Sequence, residues 1–213
     1  MEPLLRDVDV QIERLQLGPF STNAYVLTCP ETRQSAVVDA PGEGEKILEA
    51  LEGKHPRVIL MTHGHLDHVG ALFHLKSTLG VPVASHAAEA VDLPVNVDIF
   101  LSHGDVVSFG HVQLMVLHTP GHTPGSLCFF TGRHLLSGDT LFPGGPGRTG
   151  SPADFQRIVE SIRSRIIELP DETEVYPGHG EPALLKREKD SFETFCSRPH
   201  APNLSGDVLW SSS

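Results

Sequence analysis

Thr62-His63-Gly64-His65-Leu66-Asp67-His68 packs three imidazoles and a carboxylate into six residues. It follows directly on Val58-Ile59-Leu60-Met61, a short continuous apolar run that reads as a buried strand. Beyond it, Val69, Leu72, Phe73, Leu75 and Leu79 recur at helical spacing and predict a helix ending at Gly80. The cluster therefore lies at the C-terminal end of a strand, in the loop that opens a helix. Loops at that edge are where α/β sheets bind ligands. Residues two apart diverge on a helix, so His63 and His65 meet at one ion only from a tight loop. Neutral imidazole is the commonest metal ligand, and that explains the density of histidine here.

The rest of the chain sets the frame. Its 213 residues fit one domain, 1–213, with a tail at 197–213 of no assigned role. Hydrophobic residues make up 39% and aromatic residues 6%, so aliphatic side chains must carry the core. A net charge of −11 argues against nucleic acid and anionic membrane as partners. No basic, apolar leader opens the sequence and no run is long enough to span a membrane. Cys29, Cys128 and Cys196 are odd in number and far apart, which favours reduced thiols and a cytoplasmic setting. A monomer or homodimer acting on a small molecule fits this balance.

Taken in order, Val8–Leu17 alternates with a slip and predicts an edge strand carrying a bulge. Residues 23–28 and 35–40 predict a hairpin, 43–53 a helix, and 81–85 a strand that Pro82 places at a strand start or an edge. Residues 91–101 are poorly patterned. Strands follow at 105–109, 112–117, 126–131 and 134–136. Pro143–Gly150 is a Gly-rich loop, and Gly144-Gly145-Pro146-Gly147 within it reads as a flexible rim. Ser151, Pro152 and Asp154 open a helix that runs to about Leu169. The last strand is Glu174–Tyr176, and a charged helix runs from Glu181 to about Phe195. Hairpins mixed with parallel crossovers imply a mixed sheet or two packed sheets with helices outside.

A strand followed by a Gly- or Pro-rich turn with a metal-type residue recurs at four places: the His cluster, His122, Asp139 and His179. Such turns let the backbone approach other groups closely. Together they supply five histidines and two aspartates, a set suited to two divalent ions sharing a carboxylate.

These motifs, Thr62–His68, Gly121-His122-Thr123-Pro124-Gly125, Ser137-Gly138-Asp139-Thr140-Leu141-Phe142 and Pro177-Gly178-His179-Gly180, resemble those of the metallo-β-lactamase superfamily. The likeness is greatest to its glyoxalase II-like (hydroxyacylglutathione hydrolase-like) branch and covers residues 8–185. The resemblance implies an αββα sandwich with a metal site at one edge of two mixed sheets. It implies that His63, His65 and His122 hold one ion, that Asp67, His68 and His179 hold the other, and that Asp139 bridges them. Zinc is the first expectation for the two divalent ions, with iron or manganese as alternatives. Branch members that cleave the glutathione thioester carry a longer helical C-terminal region, and those contacts do not transfer to this chain.

Such a pair of ions acidifies a shared water from a pKa of about 16 toward about 7 and polarises a carbonyl. A hydrolase cleaving a thioester, S-lactoylglutathione or a related thiol conjugate, is the leading expectation, because a thiolate leaves with little acid help. Asp67 is the candidate proton acceptor as well as a ligand. The rivals are a mononuclear Fe(II) persulfide dioxygenase using His63, His122 and Asp139, and a lactone or β-lactam hydrolase. The other eight histidines are assigned structural or solvated roles, with His118 the best candidate for support behind His122. Arg148 is expected to pin its loop to an aspartate, and Asp39 is a weaker candidate for support behind the ligands.

Overall fold

A computed structural model describes residues 9–211, which form two six-stranded sheets packed face to face. The first sheet runs β1 (Gln11–Leu17), β2 (Thr22–Thr28), β3 (Gln34–Val38), β4 (His55–Leu60), β5 (Val83–Ser85) and β6 (Ile99–Phe100) in spatial order. The second runs β14 (Ala183–Leu184), β13 (Glu174–Pro177), β10 (His134–Gly138), β9 (Leu127–Thr131), β8 (Val112–His118) and β7 (Val106–Phe109). A small hairpin, β11 (Leu141–Phe142) with β12 (Gly145–Pro146), stands apart. Helices α1 (Gly44–Ala50), α2 (Leu66–Val69) and α3 (Leu72–Leu79) cover the first sheet, and α4 (Pro152–Ser161) and α5 (Leu185–Cys196) the second.

This is the expected αββα sandwich, and its three apolar layers follow from strand periodicity. Alternate residues of β2, Tyr25 and Leu27, face the space between the sheets with Leu60, Leu114, Val116 and Phe129. Their neighbours Ala24 and Val26 face the helices with Ile47, Leu72 and Leu75. The outer layer of the second sheet gathers Phe130, Ile158, Ile166 and Phe192 around Trp210. The tail thus returns to the core: Trp210 is 2% exposed and packs on Phe195 at 5.0 Å.

Several sequence readings need correction. β1 pairs with β2 in continuous register, without a bulge; the slipped alternation reflects an edge strand partly exposed on both faces. Val8 lies outside the described residues. The helix after the His cluster is two helices, broken at Gly70, where an added Cβ would sit 2.9 Å from the Pro41 carbonyl oxygen. Phe73 points to solvent rather than the core. Gly144-Gly145-Pro146-Gly147 is no flexible rim. It contains β12, Gly145 to Gly147 are buried, and Gly144 donates its N–H to the buried Glu188 carboxylate at 2.9 Å. The last strand is β14, and the final helix starts only at Leu185 because 183–184 pair with β13. The Ser151 cap is as expected, accepting from the Asp154 N–H at 3.2 Å.

Phe129 fills the centre of the space between the sheets with no exposure. Phe129→Ala is expected to cost about 3–5 kcal/mol of unfolding free energy, read from urea denaturation of the metal-free chain.

Candidate metal centre

Four turns bring the predicted residues to one end of the sandwich. β4 ends before Thr62, β10 ends at Gly138, β13 ends at Pro177, and the turn after β8 carries His122. All seven predicted ligands meet there. Potential donor atoms of His63, His65 and His122 lie within 4.8 Å of one another, as do those of Asp67, His68 and His179. His63, His68 and Asp139 form a third such group, so Asp139 stands between the two sets.

The nitrogens are close. His65 Nδ1 is 3.1 Å from His63 Nε2 and 2.9 Å from His122 Nε2. Three nitrogens of a tetrahedral zinc site are about 3.3 Å apart, given bonds of about 2.0–2.1 Å. On the other side, His179 Nε2 is 3.4 Å from His68 Nε2 and 3.2 Å from Asp67 Oδ2. Asp139 reaches both sets, with Oδ1 3.4 Å from His68 Nε2 and Oδ2 3.6 Å from His122 Nε2 and from His179 Nε2.

Hydrogen bonds at the back of the rings fix which nitrogen turns inward. Thr62 Oγ1 donates to Asp39 Oδ2 at 2.7 Å, so it accepts from His63 Nδ1–H at 3.0 Å. His68 Nδ1–H donates to Asp39 Oδ2 at 2.8 Å, and His122 Nδ1–H to the Arg148 carbonyl at 2.8 Å. His179 Nδ1–H makes a longer bond, 3.4 Å, to the Phe20 carbonyl. Acceptors hold every one of these hydrogens, so Nε2 of all four rings faces the centre.

Electrostatics point the same way. Burial keeps His63 neutral, helped by the neighbouring His68. Burial also opposes charge on His68, but Asp39 and Asp139 outweigh it and raise its pKa to about 10. Burial disfavours ionised Asp139, yet His68, His63 and His122 hold it well below the usual carboxylate range. The field at the centre therefore attracts positive charge. Asp139 Oδ1 is buried with no hydrogen-bond partner, an orphaned acceptor that a cation satisfies. The donor set is nitrogen and carboxylate only, which suits zinc, iron or manganese.

The residues behind this set were the ones least visible in sequence. Asp39 takes three hydrogen bonds, including 2.8 Å from the Thr62 N–H, and does so from a left-handed backbone with φ of 60°. Asn23 Nδ2 donates to the carbonyls of Pro177 and Gly180, both at 2.9 Å, and Tyr25 donates to Pro177 at 2.6 Å; together they fix the His179 turn. Thr22 donates to Asp67 at 3.1 Å. Gly178 must be glycine, since a Cβ there would lie 2.1 Å from Asp139 Oδ1. His118 touches no ligand; it donates to the Pro124 carbonyl at 3.0 Å and braces the His122 turn. Arg148 contributes its carbonyl, while its exposed guanidinium is 3.9 Å from an equally exposed Asp207, a contact of little weight. Asp39 carried one sequence signal, its place at the end of a strand; Asn23 and Tyr25 carried none, as ordinary strand residues.

Comparison with known proteins agrees with this geometry. Residues 17–179 match the model of the metallo-beta-lactamase superfamily. The chain is 32% identical to hydroxyacylglutathione hydrolase GloC of Haemophilus influenzae over 206 residues, covering 85% of this chain and 96% of that one. Among solved structures, TTHA1623 in a di-iron-bound form is 35% identical with a TM-score of 0.72, over 83% of this chain and 96% of that one. ETHE1 from Myxococcus xanthus is 26% identical with a TM-score of 0.79, over 89% and 86%.

Asparagine tolerates the left-handed backbone of Asp39 but cannot accept all three hydrogen bonds. Asp39→Asn is therefore expected to weaken divalent-metal binding about 10- to 100-fold, measured by competition with a chromophoric chelator. Unchanged affinity would mean that Asp39 shapes the backbone only.

Proposed function

The chain belongs to the metallo-β-lactamase superfamily, and from that premise we propose that it is a single-domain thioesterase cleaving S-lactoylglutathione or a related thiol conjugate with two divalent ions. In this reading His63, His65 and His122 hold one ion, Asp67, His68 and His179 the other, and Asp139 both. The observation that carries it is the second set. Asp67, His68 and His179 converge beside a complete three-histidine set, which a two-ion hydrolase needs and a mononuclear iron oxygenase does not. Likeness to hydroxyacylglutathione hydrolases supports the substrate class.

Two bound divalent ions supply Lewis acidity toward a carbonyl oxygen and a water acidic enough to lose its proton near neutrality. The chain supplies the geometry. Buried His63 and His68 form the floor, exposed His65 and half-buried His179 the mouth. Asp139, mostly buried and held anionic by the surrounding histidines, stands between the two positions. Asp67 is the candidate proton acceptor: Thr22 holds one carboxylate oxygen in place at 3.1 Å, and the side chain is only partly buried. The leaving thiolate, with a parent pKa of about 8.5, departs as the anion without a protonating side chain. Zinc is our first choice of metal. Among the described residues no helix is long and apolar enough to cross a membrane.

The test joins metal analysis of protein purified without added metal to two assays, thiol release from S-lactoylglutathione and oxygen uptake with glutathione persulfide. Two ions per chain and chelator-sensitive thiol release are expected, and Asp67→Asn is expected to lower kcat by about 10²- to 10⁴-fold. One iron per chain with oxygen uptake and no thiol release would replace this reading.

A further inference from the structure

Glu89 is 1% exposed and belongs to neither donor set. It closes a single 3₁₀ turn, Ala87–Glu89, between the two ligand loops. Its Oε2 accepts the Gly64 N–H at 2.8 Å, and its Oε1 accepts the Gly125 N–H at 2.7 Å. Gly64 lies between His63 and His65, while Gly125 closes the turn that begins at His122. One carboxylate thus ties together the two loops that supply all three nitrogens of one set, from 25 and 36 residues away in sequence. Hydrogen bonds to an ionised acceptor are about twice as strong as neutral ones, and burial removes competing water. The fit is tight: a Cβ on Gly125 would lie 2.6 Å from Glu89 Oε1. The same turn makes a second tie. His86 stacks on His118 at 4.1 Å, and His118 holds the carbonyl of Pro124.

Asp39 reaches both sets, His63 through Thr62 and His68 directly, but the remaining supports of the other set are its own. His68 is held by Asp39, Asp67 by Thr22, and the His179 turn by Asn23 and Tyr25. We propose that Glu89 is a positioning residue that fixes the gap between the His63–His65 loop and the His122 turn, and so sets the metal affinity of the three-histidine position selectively. This rests on the two-ion reading of the site.

The test titrates the metal-free full-length chain with Co²⁺, following the visible absorption of each binding step and chelator competition. Glu89→Ala is expected to weaken one step about 10- to 100-fold while the other stays within about threefold. The altered step should be the one with the nitrogen-rich spectrum. Glu89→Gln keeps one acceptor oxygen and is expected to fall between wild type and Glu89→Ala; it carries the test alone if Glu89→Ala does not fold. Leu185→Ala, buried in the outer layer of the second sheet, is the control for lost stability and should leave the ratio of the two steps unchanged. Equal weakening of both steps, or of neither, would overturn the proposal. Wild-type protein that cleaves no thioester would sink the functional reading and leave these titrations unaffected.

Discussion

The Asp39 carboxylate is the constraint on which the metal end of the molecule depends. It is 2% exposed and binds three donors, two on Thr62 and one on His68. Through Thr62 it fixes the ring of His63, and directly it fixes the ring of His68, so one side chain orients a nitrogen for each donor set. A buried carboxylate is costly unless hydrogen bonds satisfy it, and here three do. Its backbone sits in the left-handed region that few residues besides glycine, asparagine and aspartate enter. Both features mean that the chain accepts local cost at the end of β3 to preset the site.

The sandwich explains why such presetting is available. β3 and β4 are parallel neighbours, so they end side by side, and Asp39 meets Thr62 across that pair. β10 and β13 are likewise parallel in the second sheet, which puts Asp139 beside the turn of His179. The sheets pack through Leu60, Leu136 and Phe129, and that packing brings the two pairs of strand ends to one edge. Asn23 and Tyr25 on β2 then reach the His179 turn across the gap between the sheets. The metal end is thus a product of parallel pairing and sheet packing together.

Sequence reading reached the seven residues gathered at this end because they are chemically unusual. His63, His65, Asp67 and His68 crowd one loop, and His122, Asp139 and His179 each follow a strand with glycine or proline beside them. Most strands of both sheets were legible from apolar runs and turns, but the two-residue strands β6 and β14 were not, β1 is shorter, and α5 starts later than its charge pattern suggested. The supports were hidden for a physical reason. Asn23 and Tyr25 look like ordinary strand residues, and Glu89 sits in a short turn beside a weakly patterned segment; their importance lies in contacts more than 20 residues away in sequence. The Gly-rich loop misled for a related reason. Glycine signals both freedom and close approach, and at Gly145 and Gly147 burial shows that close approach prevails.

The two donor sets also differ in charge, and the difference bears on what each position can do. In the proposed arrangement His63, His65 and His122 would offer an ion only imidazole nitrogens, so its charge would be balanced by its share of Asp139 alone. The other position adds Asp67 to the same share and has Asp39 behind His68. An ion held in the three-histidine position would therefore keep more of its positive charge and would be the stronger Lewis acid. The second position lies beside the carboxylate that can take a proton. Supports divide partly the same way: backbone amides meet Glu89 on the three-histidine side and Thr22 braces the acidic side, while Asp39 serves both. The supports particular to each side would let the two affinities change separately within one fold. Three cysteines lie elsewhere in the chain, and keeping soft thiolates out of the donor set leaves the centre to borderline and hard ions.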